Sequence, residues 1–305
     1  MKREPCSAIN LYGKPFFADG APLVWSFERM ILTVSSKLDA AGTNIARHLL
    51  QKSPFEETGR LFQGNPVYAV EVGGRQVAYA TLEAEETVYA QALPASFPDT
   101  ELVVFLSQHS SQSGKPTLSV HTPGNLAEAE MGGLPRRVSV AAATAMRDAL
   151  QALDRLRLEM GLGYEVSYEC THHGPSLDVP TMFVELGSSP AQWRDQRAAA
   201  AVAEAAMEAI SKFRTSQAVR AALGIGGTHY NQKFTRMALE GEAAFGHMIT
   251  KYALPRADYE ILQQCVKRTL EKVDCAVLDW KGIRGEDKLE LLSLLQEIGL
   301  PVEKA

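Results

Sequence analysis

The stretch Met30-Ile31-Leu32-Thr33-Val34-Ser35, followed by residues 39–51 (DAAGTNIARHLLQ), decides the fold class. The first run is apolar and rich in β-branched residues, which predicts a buried strand. Residues 39–51 place Ile45, Ala46 and Leu49 on one face at helical spacing, which predicts a helix. A buried strand that leads directly into an amphipathic helix is typical of an α/β domain.

The same alternation continues to the end of the chain. A hairpin is expected across Gly73-Gly74 because two strand-like runs flank this pair. The predicted strands are 30–35, 67–72, 76–81, 102–107, 116–121, 165–170, 181–186, 218–223, 244–250 and 276–280, and the predicted helices are 39–51, 137–160, 190–213, 232–240, 258–272 and 286–298. This order predicts a mixed, mostly parallel sheet with helices on both faces, and a site beyond the carboxyl ends of the strands.

Residues 1–29 differ from the rest of the chain, because they lack clear periodicity. They are predicted to be an N-terminal extension, or a misassigned start, ahead of a single catalytic domain 30–305. The alternative is an ordered arm in which Trp25 and Phe27 pack against the domain.

Composition excludes several classes of protein. The chain has 305 residues, of which 46% are hydrophobic and 22% charged, with a net charge of −5. No apolar run is long enough for a bilayer, no secretory signal is evident, and the four cysteines form no Cys-x-x-Cys pair. We expect a cytoplasmic monomer with reduced thiols, no membrane and no DNA partner. Nucleic acid would meet only a local basic patch.

The pair His172-His173 is the strongest chemical signal, since Gly174-Pro175 stops the chain immediately afterwards. Histidine titrates near neutrality and is the commonest metal ligand. His109 and His121 each follow another strand-like run, so both rings are expected in one site as metal ligands or acid–base groups. The alternative places one ring on a turn and the other in the core.

Glu169 and Glu185 are the carboxylates expected beside these histidines, either fixing a ring's tautomer or ligating metal. Side chains alternate along extended backbone, so only one of His172 and His173 is expected to face the site. The alternative for this segment is a solvated surface loop.

The run Gly224-Ile225-Gly226-Gly227-Thr228-His229-Tyr230 predicts a strand end at which backbone amides approach a ligand. A glycine cluster alone usually marks only a turn, but His229 directly after this one makes a functional site the more specific interpretation. The sequence lacks a complete P-loop, G-x-G-x-x-G, H-E-x-x-H and G-x-S-x-G, so activated water is favoured over a serine nucleophile. Basic residues flank the expected site loops and could hold phosphates, or could be ordinary solvated charge: Lys115, Arg136, Arg137, Lys233, Arg236, Lys281 and Arg284.

Taken in order, these motifs resemble the D-aminoacyl-tRNA deacylase family of the archaeal and plant type. The resemblance rests on residues 30–46, 106–109, 118–121, 171–175, 180–187, 224–230, 246–247 and 279–282. Cys170 departs from the family pattern, in which alanine is expected, and residues 1–29 lie outside it.

The resemblance implies zinc-dependent hydrolysis of the ester between a D-amino acid and the tRNA acceptor end, on a core similar to peptidyl-tRNA hydrolases and nucleoside phosphorylases. The expected catalytic residues are His172, His173, His229 and Glu169, the expected metal ligands His109, His121, His172 and Glu185, and the expected substrate contacts Gly226, Gly227, Thr228 and Lys281. Two alternatives remain: a phosphorylase-like or amidohydrolase activity on a small molecule, and a non-catalytic tRNA-binding module.

Overall fold

The computed structural model describes residues 29–217 and 219–305, together with two short paired strands, β1 (Ala8–Ile9) and β2 (Pro15–Phe16). The predicted extension 1–29 therefore lies largely outside the described residues, and its separation from the catalytic domain stays a prediction. The further strands, in chain order, are β3 (Met30–Ser36), β4 (Glu56–Phe62), β5 (Asn65–Val72), β6 (Arg75–Leu82), β7 (Thr100–Ser110), β8 (Thr117–His121), β9 (Gly124–Asn125), β10 (Arg137–Val138), β11 (Glu165–Tyr168), β12 (Thr181–Ser188), β13 (Ala221–Ile225), β14 (Ala244–Ile249), β15 (Val273–Leu278) and β16 (Val302–Lys304).

The helices alternate with these strands much as the periodicity predicts. They are α1 (Ala40–Lys52), α2 (Leu93–Ser96), α3 (Ala143–Glu159), α4 (Pro190–Trp193), α5 (Gln196–Lys212), α6 (Gln232–Leu239), α7 (Tyr259–Lys267) and α8 (Asp287–Ile298), with short 3₁₀ turns at Thr87–Tyr89, Leu254–Arg256 and Trp280–Gly282. Among the residues that the structure describes, none of the helices combines the length and apolar character needed to cross a membrane.

The larger sheet has eight strands in the order β11-β8-β12-β7-β3-β6-β5-β4. Its centre, β12-β7-β3-β6, is parallel, whereas β8 runs antiparallel to β12, and β5 and β4 add antiparallel pairs at the edge. Strand β3 is buried along its whole length, as its unbroken apolar run predicts. The mixed, mostly parallel sheet is thus confirmed.

A smaller sheet, β14-β13-β15-β16, is entirely parallel. Side chains on one of its faces, such as Phe245, pack in the same core as α3 and α6. Side chains on the other face, such as Leu278, pack with Ile261 of α7 and Leu291 of α8. Helices therefore cover both faces of this sheet, and α3 lies in the core that joins it to the larger one.

Five predicted elements differ from the structure by several residues. The helix expected at 137–160 begins only at Ala143, because Arg137–Val138 pairs with β9. The helix expected from residue 190 is broken after Trp193, because Asp195 caps a new helix by accepting hydrogen bonds from Arg197 N and Ala198 N. Strands β13 and β15 are each displaced by about three residues from the predicted 218–223 and 276–280, and α7 ends at Lys267 rather than 272.

Candidate active site

The carboxyl ends of strands from both sheets meet around a cavity of about 310 Å³. Strand β7 brings His109, the segment after β11 brings Glu169 to His173, and the loop after β13 brings His229. Among the described residues its lining includes no lysine or arginine, whereas four carboxylates line or approach it: Asp39, Glu86, Glu169 and Glu185. The predicted position of the site, at the carboxyl ends of strands, matches the structure.

A second cavity, of about 270 Å³, adjoins the first at the histidine pair. His172, His173 and Met131 line both spaces. The second cavity is bounded by Leu126 and by Ala253, with Arg256 among its lining residues. The histidine pair therefore lines two adjoining spaces, of which the second contains the carboxylates Glu128 and Glu130 together with Arg256.

Glu169 is the residue through which most of the site is connected. Its side chain is fully buried. One oxygen, Oε1, lies 3.1 Å from Nδ1 of His109, and the other, Oε2, lies 2.8 Å from Nε2 of His229. Nε2 of His172 is 3.7 Å from the same Oε2. A single carboxylate thus orients two imidazoles and faces a third.

Ring contacts gather His121, His172 and His173 into a compact cluster. The ring centroids of His121 and His172 are 4.3 Å apart, and those of His172 and His173 are 4.1 Å apart. His121 stacks on Phe183 and is fully buried, and neither of its nitrogens has a hydrogen-bond partner among the described residues. Nε2 of His121 lies 3.7 Å from Oε2 of Glu185. One nitrogen from each of the three histidines falls within 4.8 Å of the others.

Both members of the histidine pair face the cluster, so the prediction that only one does so is wrong. Alternation holds for extended backbone, but His173 has a φ of 38°, which turns the chain between the two rings. Nδ1 of His172 donates to the carbonyl of Cys170, and Nδ1 of His173 donates to the carbonyl of Gly174, at 2.9 and 2.7 Å. In each neutral ring, Nε2 therefore carries no proton, and its lone pair is free to accept a hydrogen bond or to bind a metal.

The environment divides the titrating groups into two kinds. Burial, reinforced by neighbouring histidines, lowers the pKa of His172 well below its ordinary value and that of His173 to about 4. Burial also opposes protonation of His109, but Glu169 and Glu185 outweigh it and raise the pKa to about 11. Burial favours the neutral acid of Glu169, but hydrogen bonds from His109 and His229 overcome it and hold that pKa well below its usual range. Charge is therefore concentrated around Glu169, next to neutral rings.

Two residues of the site were not singled out from the sequence. The hydroxyl of Tyr230 lies 2.7 Å from Nε2 of His109, so both nitrogens of that ring are engaged. Asp39 accepts hydrogen bonds from the Ser107 hydroxyl and the Gln108 amide, and burial raises its pKa to about 6. Each follows a predicted strand end, and that position is the signal that could have identified them.

The glycine loop and Lys281 are not brought into the cavity with the histidines. Gly226 donates its amide to the carbonyl of Ile249 at 2.8 Å, so this N–H already has a partner within the fold. Gly227 has a φ of 73° and packs against Asn231 and Asp279. These glycines, with Thr228 and Lys281, lie along the carboxyl edge of the smaller sheet instead.

Comparisons with known proteins agree over most of the chain. The D-aminoacyl-tRNA deacylase family profile matches residues 96–303. The D-aminoacyl-tRNA deacylase of Thermococcus kodakarensis is 37% identical over 277 residues, which cover 89% of this chain and 98% of the relative. The enzyme of the same name from Pyrococcus horikoshii is 37% identical over 278 residues, with the same coverage.

Solved structures show the fold independently. The crystal structure of a conserved protein of unknown function superposes with a TM-score of 0.80 at 32% identity, covering 90% of this chain and 95% of that one. A 5′-methylthioadenosine/S-adenosyl homocysteine nucleosidase from Campylobacter jejuni gives a TM-score of only 0.41 at 8% identity, which is too low to carry an argument.

Proposed function

The chain belongs to the D-aminoacyl-tRNA deacylase family, and from this premise we propose that it hydrolyses the ester between a D-amino acid and tRNA at the cluster around Glu169. One observation carries this assignment of the site. A fully buried carboxylate orients two imidazoles beside three clustered histidines, at the wall of a cavity rich in carboxylates. Ester hydrolysis requires an activated water and help for the departing ribose oxygen.

We propose that the cluster holds zinc. His121 is a buried imidazole with two nitrogens unpartnered within the described chain, which is costly unless a ligand satisfies one of them. His172 and His173 each donate Nδ1–H to a backbone carbonyl, the arrangement that commonly fixes a metal-ligating histidine. Glu185 favours positive charge at His121, whether from a proton or from a cation. When bound, zinc supplies a Lewis acid that polarises the ester carbonyl and acidifies water.

His121, His172 and His173 are accordingly the proposed ligands, and Glu185 is the neighbour that orients His121. His109 belonged to the set expected from the sequence. We now assign it another role, because Glu169 and Tyr230 occupy both of its nitrogens. A neutral ring is the form that binds metal, and the lowered pKa values of His172 and His173 favour that form.

His229 and Glu169 are the proposed acid–base pair. Nε2 of His229 is held by Glu169, which leaves Nδ1 to take a proton from water and return it to the leaving ribose oxygen. About a third of the His229 side chain is exposed, so the ring can reach a substrate. His109 keeps the Tyr230 hydroxyl at the cavity wall, where it can donate to the substrate carbonyl.

The lining of the larger cavity suggests how the substrate lies. Carboxylates line the larger cavity, with no lysine or arginine of the described chain beside them, which suits the α-ammonium group of an amino acid and disfavours phosphate. Gly227, Thr228 and Lys281 lie at the neighbouring sheet edge, where we place the tRNA acceptor end. We also propose a monomer that acts on aminoacyl-tRNA in the cytoplasm.

Deacylation of D-Tyr-tRNA and L-Tyr-tRNA, with and without chelator and added zinc, tests this proposal. We expect rapid loss of the D ester alone, abolished by chelator and restored by zinc. His172→Ala should lose the activity. His48→Ala is the matched control, because His48 lies on α1 and contacts Gln196 rather than the cluster. Failure to release D-tyrosine while free nucleosides are cleaved would overturn the deacylase in favour of a small-molecule enzyme.

A further inference from the structure

A protein of net charge −5 must offer tRNA a local cationic surface. Most of the basic residues that flank the site loops do not provide one, because they are already paired with carboxylates. Of the seven expected from the sequence, only Lys281 makes no ion pair with a described residue; the pairs are Lys115–Glu165, Arg136–Asp258, Arg137–Asp178, Lys233–Asp279, Arg236–Glu240 and Arg284–Glu286.

Other lysines lie in a row at the carboxyl edge of the smaller sheet. Across that sheet, Lys251 follows β14, the glycine loop follows β13, Lys281 follows β15, and Lys304 ends β16. The amide of Lys251 donates to the carbonyl of Gly227 at 3.0 Å. A Cβ added at Gly282 would lie 2.8 Å from the nitrogen of Gly227. The backbones beside Lys251 and Lys281 thus flank the glycine loop on both sides.

The indole of Trp280 organises the far end of this row. Nζ of Lys304 lies 4.0 Å from the ring centroid, and Nζ of Lys288 lies 4.4 Å from it. Two ammonium groups are therefore held against one aromatic surface by cation–π attraction. Neither lysine forms an ion pair within the described part of the chain, so their charge is available to a ligand.

The acidic residues near this edge are paired with other basic residues and not with the lysines of the row. Asp279 is neutralised by Lys233, Glu286 by Arg284, and Glu303 by Arg220. Asp287 and Glu290 line a separate cleft that also contains Arg136 and Arg256. Within the described ranges, four lysines remain without an ion-pair partner: Lys251, Lys281, Lys288 and Lys304.

We propose that this carboxyl edge, Lys251, Lys281, Lys288 and Lys304 with Trp280, binds the phosphates of the tRNA acceptor end. The proposal rests on the proposed function and adds the surface by which the substrate is held. The edge leads directly to the chemistry, because the loop that Lys251 and Lys281 flank continues through Thr228 to His229. Phosphate contacts of this kind fix the register of a nucleic acid without reading its sequence. The catalytic cavity itself can therefore remain acidic.

The test compares two double variants in binding an acceptor-stem minihelix that ends in unpaired CCA, measured by fluorescence anisotropy between low and moderate salt. Lys281→Gln with Lys304→Gln removes two charges from the edge. Lys267→Gln with Lys272→Gln removes two charges from the opposite end of the sheet, just before β15. We expect Kd to rise roughly fivefold for the edge pair at low salt, and the slope of log Kd against log salt to fall by ~1.4. The control pair should match the wild type.

The outcomes separate this surface from the function on which it rests. If the wild type hydrolyses D-Tyr-tRNA but both pairs bind the minihelix like wild type, the edge is not the binding surface and the deacylase stands. If the edge pair alone loses affinity and salt dependence while no protein releases D-tyrosine, the surface stands and the catalytic proposal falls. Circular dichroism spectra of the variants check that the replaced surface lysines leave the fold intact.

Discussion

Single residues in this protein are arranged around one buried carboxylate. A buried charge costs several kcal/mol unless it is paired and hydrogen-bonded. Glu169 is paired with both His109 and His229, and His229 donates a hydrogen bond to its Oε2, so the two rings and the carboxylate orient one another. A substitution there consequently acts on two rings at once, whereas a substitution at either ring leaves the other in place.

Glu169→Gln should lower kcat/KM on D-Tyr-tRNA by about a hundredfold or more, because the amide lacks the carboxylate charge that orients His229 and balances the charge of His109. Steady-state deacylation measures the effect. Glu165→Gln is the matched control at the start of β11, since Glu165 is exposed and pairs only with Lys115 among the described residues. A folded Glu169→Gln enzyme within twofold of wild type would remove Glu169 from the mechanism.

His247 should make the fold sensitive to acid. It is buried between the Thr171 hydroxyl and the carbonyl of Arg268, and burial lowers its pKa to about 4 from 6.5. A lowered histidine pKa means that the unfolded chain binds the proton more tightly. Its contribution to stability is therefore complete above about pH 6.5 and is lost as the pH falls towards 4, by up to ~3 kcal/mol.

His247→Gln keeps a donor towards Arg268 but does not titrate. We expect the variant to be less stable than wild type at pH 8 and the gap to narrow by pH 5, in urea unfolding followed by circular dichroism. Both proteins contain the other histidines. The contribution of those residues is therefore absent from the difference in stability between variant and wild type. Parallel curves of stability against pH would show that His247 is not the acid-sensitive group.

The residues that gather at the candidate site were predictable from the sequence, but the hydrogen bonds and ion pairs between them were not. The positions of His109, His121, His172 and His229 at strand ends predicted that these residues lie close together, because strand ends of a parallel sheet converge. Which ring bonds which carboxylate depends on contacts across the chain, such as that between Glu169 and His229, 60 residues apart. The positive φ of His173 was likewise not predictable from the sequence, because residues other than glycine seldom adopt it.

At the scale of elements, periodicity located most strands and helices but not their ends. The apolar spacing from Met146 to Leu156 predicts a helix there. The start of α3, in contrast, is decided by the pairing of β10 with β9. The break at Asp195 is similarly decided by a cap inside a continuous alanine-rich stretch. Periodicity reports which face is buried, and boundaries depend on local hydrogen bonds that it does not report.

The loop between β13 and α6 should tolerate no side chain at Gly227. A Cβ there would lie 2.5 Å from Nδ2 of Asn231, the residue that caps α6, in addition to the strain of a φ of 73°. Gly227→Ala should therefore displace the loop that carries His229 and lower kcat/KM at least tenfold. Steady-state deacylation and thermal unfolding together measure the change.

Gly241→Ala is the matched control for this prediction. Gly241 has a φ of 78°, but a Cβ there meets nothing within 4 Å among the described residues. It should lose ~1 kcal/mol of stability from backbone strain alone and keep its activity. Equal activities in the two variants would mean that the geometry of the glycine loop does not matter for catalysis.

The whole molecule has its site where the two sheets meet. The segment after β11 bonds to the larger sheet through Glu169 N and Val120 O. It bonds to the smaller sheet through Cys170 N to the His229 carbonyl and Thr171 N to the Met248 carbonyl. The sequence predicted a mixed, mostly parallel sheet, but not this junction between two sheets. The hydrogen bonds of the junction join residues that are distant in the chain. The histidines of this segment are thus held only while both sheets are docked.

Metal binding should consequently stabilise the whole fold rather than one loop. If zinc binds His121, His172 and His173 in the folded protein alone, a concentration of 100 times Kd adds about 2.7 kcal/mol and raises Tm by roughly 5 °C. Differential scanning fluorimetry of chelator-treated protein with added zinc measures this shift without any substrate. His121→Ala should lose most of it, while His48→Ala on α1 should keep it. A wild-type Tm unmoved by zinc, or an equal shift in His121→Ala, would contradict the proposed ligand set, since His121 is the buried ring for which the described chain offers neither nitrogen a partner.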